Sequence, residues 1–169
     1  MLRILSMLAL IIVNFVIQST LLPHIAIMGV VPDTALVFIV SYGILRGDIE
    51  GAIFGFFAGL MQDIGGGMFI GFFALLGFIT GFLCGKPFRD FFKDNYFLPF
   101  FVVIGVGFVY QFAVYIGSIL LFGQVELGRY FLRVILPGVL YTASLSVPLY
   151  MLLYFVNKKL EKREEPGEA

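Results

Sequence analysis

Long apolar runs without a charged side chain constrain this sequence more than any other feature. Residues Ile4–Leu22 and Tyr96–Phe122 are two such runs, and each is about as long as the ~20 residues that a helix needs to cross a bilayer. Hydrophobic residues make up 60% of the 169 residues and charged residues 13%, whereas soluble domains carry about 25% charged residues. No soluble fold could bury so much apolar surface, so the sequence predicts an all-α polytopic membrane protein.

Charged residues, prolines and glycines divide the chain into six predicted transmembrane helices. They form one compact domain over residues 1–157, followed by a polar cytoplasmic tail over residues 158–169. The predicted spans are Ile4–Leu22, Pro32–Leu45, Gly51–Met61, Met68–Cys84, Tyr96–Phe122 and Arg133–Val156. Only the first, fifth and sixth reach the usual ~20 residues. The second and third must therefore lie in a locally thinned bilayer, have flanking side chains that snorkel to the interface, or lie inside the bundle.

The distribution of Lys and Arg predicts the orientation. With six spans, nine of these residues fall on the side of the termini, and only Arg129 and Arg133 fall on the other side. Because basic residues concentrate in cytoplasmic loops, both termini are predicted to be cytoplasmic. The N-terminal run is similar to a signal peptide but lacks a small-residue cleavage site, which favours a retained first helix.

Glycine recurs every four residues through the second, third and fourth spans. The positions are Gly43, Gly47, Gly51, Gly55 and Gly59, and then Gly77, Gly81 and Gly85. This spacing places the glycines on nearly one helix face, and small residues let membrane helices approach closely. The pattern indicates either packing within the bundle or a docking face for a partner's transmembrane helix.

Polar residues at the ends of the predicted spans are the other candidates for a site. Gln62 and Asp63 end the third span, where a carboxylate opposes the helix dipole. Asp63 either lies in headgroup water, caps the fourth helix through the glycine turn, or contacts a neighbouring helix or a partner together with Gln62. Asp33 follows Pro32 at the start of the second span, which is typical of a helix start. Asn14, Gln18 and Gln111 are expected to form hydrogen bonds between helices; the alternative is that they line a pocket for a small molecule.

Several function classes lack the residues they would need. His24 is the only histidine and Cys84 the only cysteine, so no metal site, no disulfide and no cofactor is expected. A net charge of zero argues against nucleic-acid binding. No nucleophile motif is present, and the sequence therefore favours a protein that is not an enzyme.

Two local patterns resemble the family of the rod shape-determining protein MreD, a bacterial inner-membrane protein. One is Pro32-Asp33 at the start of the second span. The other is the run from Arg46 through the glycine ladder to Asp63, "RGDIEGAIFGFFAGLMQDIGGGMFIG". Together with the six-span layout, the resemblance covers most of the chain.

The resemblance implies a non-catalytic scaffold of the cell-elongation machinery. Such proteins associate with the bitopic membrane protein MreC, and through it with the actin-like MreB and the RodA–penicillin-binding-protein peptidoglycan synthase. The candidate partner-binding residues carried onto this sequence are Asp63, Gln62, Asp33, Gly51, Gly55, Gly59 and Gly71.

The alternative is the substrate-binding S-component of an energy-coupling-factor vitamin transporter, which has a similar size and six-helix layout. That family carries an A-x-x-x-A motif on its first helix. Here Ala9 is followed four residues later by Val13, so the motif is absent.

Overall fold

The computed structural model describes residues 2–26, 29–66, 70–92, 97–122 and 127–164, and helices dominate these segments. The helices are α1 (Leu2–Val16), α2 (Thr34–Arg46), α3 (Asp48–Ile64), α4 (Phe72–Phe92), α5 (Leu98–Phe122) and α6 (Leu136–Glu164). Within the described segments there is no β-strand. The prediction of an all-α fold is therefore confirmed for this part of the chain.

Two helices adjoin segments of irregular helix, α1 at its C-terminal end and α6 at its N-terminal end. α1 passes into a π-helical segment, Ile17–Leu21, and a 3-10 turn, Leu22–Ile25. α6 is preceded without a break by the helical turn Leu127–Tyr130 and the π-helical segment Phe131–Ile135. Each π-helical segment lies within two residues of a proline, Pro23 or Pro137. Proline lacks an N–H and disturbs the ordinary hydrogen-bond ladder of a helix, which accounts for these local changes.

Three helical regions are long and apolar enough to cross a membrane: Ile4–Ile25, Leu98–Gly117 and Gly128–Lys159. They are the first, fifth and sixth spans of the sequence analysis. The short α2 lies inside the bundle, with all 13 of its residues buried, and contacts every other helix. Burial within the bundle is one of the three arrangements expected for a span of this length.

Three helices extend past their predicted spans, and one of them is α6, which ends at Glu164 instead of Val156 and so continues into the predicted polar tail. α4 continues to Phe92, through residues expected to form a charged loop, and α3 runs from Asp48 to Ile64 rather than from Gly51 to Met61. Charged residues limit a membrane span, but Lys, Arg and Glu are good helix formers, so the helix itself continues. Only Gly47 separates α2 from α3; its φ of 102° lies in the region that glycine alone adopts readily.

The most extensive helix contact joins α3 and α4 through their glycines. A Cβ added to Gly55 would overlap the carbonyl oxygen of Gly77, and a Cβ on Gly77 would overlap the carbonyl oxygen of Gly55. The further antiparallel contacts are Gly51 with Gly81, Gly59 with Phe73, and Gly85 with Gly47 and Asp48. The glycine ladders therefore pack against each other, as the intramolecular interpretation predicts.

α2 joins the same contact through Gly43. A Cβ on Gly51 would lie 2.7 Å from Cα of Gly43, and a Cβ on Gly43 would lie 2.9 Å from the carbonyl oxygen of Gly81. Both distances are shorter than real Cβ atoms tolerate. Three helices thus meet at three glycines, and α2, α3 and α4 form one closely packed block.

The glycine contact predicts a sharp difference between two equivalent substitutions. Gly55→Ala would force α3 and α4 apart and should cost about 1–3 kcal/mol, the usual penalty for overpacking. Gly105→Ala on α5 is the matched control, because a Cβ there meets nothing within 4 Å, and its stability should stay the same or rise slightly. Unfolding of both variants in detergent micelles measures the difference; equal stabilities would contradict the proposed basis of packing.

Candidate functional site

Polar side chains from four helices and the segment after α1 meet toward one end of the bundle. They lie after α1, at the start of α2, at the end of α3, within α5 and near the start of α6, and they also contact the start of α4. Their members, which we call the capping cluster, are Gln18, Asp33, Thr34, Gln62, Asp63, Tyr110 and Thr142. Hydrogen bonds between these residues join elements that are far apart in sequence.

Asp63 lies at the end of α3 and caps the N-terminus of α4. The side chain is 5% exposed. One carboxylate oxygen, Oδ2, accepts hydrogen bonds from the backbone N–H groups of Gly71 at 2.9 Å and Ala74 at 3.0 Å. The other, Oδ1, accepts one from the N–H of Phe73 at 3.0 Å. These are N–H groups that a helix start leaves without an internal partner.

The position of Asp63 explains why a carboxylate is tolerated at a helix C-terminus. It opposes the dipole of α3, but it lies at the positive end of α4, where negative charge is stabilised. The turn between the helices uses Gly66 and Gly71, whose φ values of 132° and 99° favour glycine. Residues 67–69, including the last of the three consecutive glycines, lie outside the described residues. Capping of the fourth helix was one of the alternatives that the sequence left open.

Asp33 performs the same capping role at the start of α2. Its Oδ1 accepts hydrogen bonds from the backbone N–H of Leu36 at 3.1 Å and from Nε2 of Gln62 at 3.3 Å. Its own backbone N–H donates to Oγ1 of Thr142 on α6 at 3.0 Å. The sequence expectation of a helix start at Pro32-Asp33 is confirmed, with Asp33 as the N-cap residue.

Gln62 links the start of α2 to α5. Its amide nitrogen donates to Asp33, and its carbonyl Oε1 accepts a hydrogen bond from the hydroxyl of Tyr110 at 3.3 Å. Tyr110 is buried in the middle of α5. Both functional groups of the Gln62 amide are therefore used inside the bundle.

Gln18 ties the end of α1 to the same place. Its Oε1 accepts hydrogen bonds from the backbone N–H of Thr34 at 3.0 Å and from the Thr34 hydroxyl at 2.6 Å. Its Nε2 donates to the carbonyl of Pro32 at 3.4 Å. The expected interhelical bond of Gln18 is confirmed. For Asn14 it is not found, since its Oδ1 is buried with no hydrogen-bond partner in the described chain.

Sequence reasoning missed three members of the capping cluster. Thr34, Tyr110 and Thr142 lie in apolar surroundings, and their residue types occur widely in membrane helices. The sequence analysis predicted an interhelical hydrogen bond for Gln111 and not for its neighbour Tyr110, because an amide is rarer than a tyrosine hydroxyl in an apolar run. For Thr34 alone the sequence contained a usable signal, because this residue directly follows Asp33, which was already predicted to begin a helix.

The structure brings Asp33, Gln62 and Asp63 together but uses the candidate glycines elsewhere. Gly51, Gly55 and Gly59 face α4. Gly71 lies in the turn before α4 and donates its N–H to Asp63. Contact of any of these residues with a partner stays a prediction. In the described segments no group of three His, Cys, Asp or Glu residues is placed to hold a metal ion.

The described chain is helical, and three of its helical regions are long and apolar enough to cross a bilayer. These features define an α-helical membrane protein. The family model of the rod shape-determining protein MreD matches residues 1–160 of the 169-residue chain, and the chain belongs to that family. No curated protein and no solved structure matches it.

Family membership makes this a rod shape-determining membrane protein. The family consists of structural, shape-determining proteins and is not a known enzyme family.

The geometry of Asp63 predicts that loss of its carboxylate destabilises α4. Asp63→Ala leaves three backbone N–H groups without their partner in a buried place, which should lower the free energy of unfolding by roughly 1–3 kcal/mol. Asp63→Asn keeps one acceptor oxygen and should lose less. Denaturation in detergent micelles compares the three proteins; an Asp63→Ala variant as stable as the original would contradict the capping role.

Proposed function

We propose that this protein is a non-catalytic scaffold of the bacterial cell-elongation machinery in the inner membrane. It binds an MreC-like bitopic membrane protein, and through it links MreB to the RodA–penicillin-binding-protein peptidoglycan synthase. The observation that carries this proposal is the match of the MreD family model over residues 1–160. No cofactor is part of the proposal.

We further propose that all six helices cross the membrane with both termini in the cytoplasm. The nine-to-two distribution of Lys and Arg in the sequence supports this orientation. The short α2 supports it as well, because a helix enclosed by its neighbours does not have to match the bilayer thickness by itself. In this arrangement the capping cluster lies on the outer side of the membrane, where the extracytoplasmic part of a bitopic partner would also be found.

The candidate residues are proposed to act on partner binding through the shape of the bundle. Asp33, Gln62 and Asp63 fix the relative positions of the helix ends, and their hydrogen bonds run inside the chain. Gly51, Gly55 and Gly59 set the separation of α3 and α4, and Gly71 shapes the turn between them. A partner that recognises this end of the bundle would depend on all of them. This dependence requires no direct contact with the buried atoms.

Purification of the tagged protein from its native membranes in mild detergent tests the proposed function. Recovery of an MreC-like bitopic protein, with or without the cell-wall synthase, is expected in mass spectrometry of the co-purifying proteins. Gln62→Ala removes both hydrogen bonds that join α3 to α2 and α5, and it should reduce that recovery several-fold while the protein stays in the membrane. Gln111→Ala is the matched control, because Gln111 makes no hydrogen bond within the described chain.

The same purification separates the two functions that the sequence left open. Recovery of paired ATPases with a coupling membrane subunit would contradict the scaffold and favour the vitamin transporter. Equal recovery of the bitopic protein by the Gln62→Ala and Gln111→Ala variants would leave the scaffold in place and refute the role assigned to the capping cluster.

A further inference from the structure

A deep groove separates α4 from α5 on the surface of the bundle. The two helices follow each other in sequence but hardly touch, and the space between them measures about 560 Å³. Buried residues, among them Thr80 and Tyr110, form its floor, while the strongly exposed Phe101 and Val109 form its rim. No charged residue lines the groove, so whatever occupies it must be uncharged along this stretch.

The length of the groove exceeds the depth of one bilayer leaflet. On α5 the groove extends from Leu98 to Ala113, which corresponds to about 22 Å at the rise of an α-helix. Half of the hydrocarbon core is about 15 Å deep. Since α5 carries one of the three candidate spans, Leu98–Gly117, a groove along most of that span passes the middle of the membrane. Acyl chains of either leaflet end near that level, whereas a transmembrane helix continues through it.

The floor of the groove contains a hydroxyl group that hydrocarbon cannot satisfy. Thr80 is 7% exposed and lines the groove, and its hydroxyl makes no hydrogen bond within the described chain. Unsatisfied polar groups at membrane depth are costly, and Thr side chains often bond across helix interfaces. A polar side chain or a backbone carbonyl on an incoming helix could accept a hydrogen bond from Thr80.

The backbone of α5 is open at the middle of the groove. A Cβ added to Gly105 would meet nothing within 4 Å, in contrast to the ladder glycines that pack against α4 or α3. Helix association in membranes depends on such close backbone approach, because apolar side chains gain little by leaving lipid for protein. Gly105 therefore offers a contact that no helix in the described segments uses.

We propose that the groove between α4 and α5 binds one uncharged transmembrane helix of a single-span partner protein. The partner helix packs closely on Gly105 and bonds to Thr80. Tyr110 lines the groove and donates its hydroxyl to Gln62, so the bound helix also contacts a member of the capping cluster. The identity of the partner rests on the proposed function. The shape and lining of the groove are the same whichever single-span protein binds there.

Filling the groove tests the proposal. Gly105→Leu places a side chain where the partner helix would lie, and its Cβ meets nothing within 4 Å in the described chain. Gly128→Leu is the matched control, because a Cβ at Gly128 also meets nothing within 4 Å and this residue does not line the groove. Recovery of the single-span partner from native membranes should fall at least about tenfold for Gly105→Leu and stay unchanged for Gly128→Leu. Thr80→Val should lower it by a smaller factor, and equal unfolding in detergent checks that each variant is folded.

A photo-crosslinking residue at Val109 decides what occupies the groove even if the expected partner is not recovered. A crosslink from Val109 to the transmembrane segment of a single-span protein, absent from Leu152 on α6 and lost with Gly105→Leu, would support the proposal. If that protein had no part in cell elongation, the groove assignment would stand and the proposed function would fall. Crosslinks to lipid alone from both positions, or unchanged partner recovery by Gly105→Leu, would overturn the proposal.

Discussion

Direct backbone contact between α3 and α4 is the constraint on which the rest of the structure depends. In a bilayer, apolar side chains are as well solvated by lipid as by another helix, so association relies on dense packing and on polar bonds. Glycine at Gly51, Gly55, Gly77 and Gly81 allows the two helices to meet without intervening side chains. α2 fits against this pair at Gly43. Its complete burial follows, and a helix of only 13 residues can then lie inside the bundle.

Such close packing brings helix ends together and creates a second requirement, which the capping cluster meets. Where α4 begins, the first backbone N–H groups have no partner within the helix, and each needs another acceptor. Asp63 supplies both of its oxygens to α4, while Asp33 caps α2 and is bonded in turn by Gln62. Both carboxylates thus accept hydrogen bonds from the N–H groups of a helix start. Packing and capping depend on each other, because Asp63 reaches α4 only when the glycines hold the helices close.

The sequence predicted the parts of this structure that rest on local pattern. The three long apolar regions, the close helix packing at the glycine ladders and the helix start at Asp33 follow from spacing and residue type, whereas the sequence left open whether the ladders meet each other or a partner. The role of Asp63 could not be decided in the same way, because its partners lie 8 to 11 residues further along the chain, across a turn whose geometry the sequence leaves open. Thr142 was missed for a related reason, since it meets Asp33 across 109 positions. The extension of α4 to Phe92 shows that charged residues do not mark the end of a helix.

The bundle consists of two packed parts that share α2. One is the glycine block of α2, α3 and α4, and the other is the pair of α5 and α6, which also lies against α2. Because α4 and α5 hardly touch, the two parts are joined on one side by α2 and remain apart on the other, where the groove lies. Tyr110 spans this division, with its ring in the groove and its hydroxyl bonded to Gln62 of the glycine block. A helix bound in the groove would close the open side and would contact Tyr110, whose hydroxyl is bonded to the capping cluster.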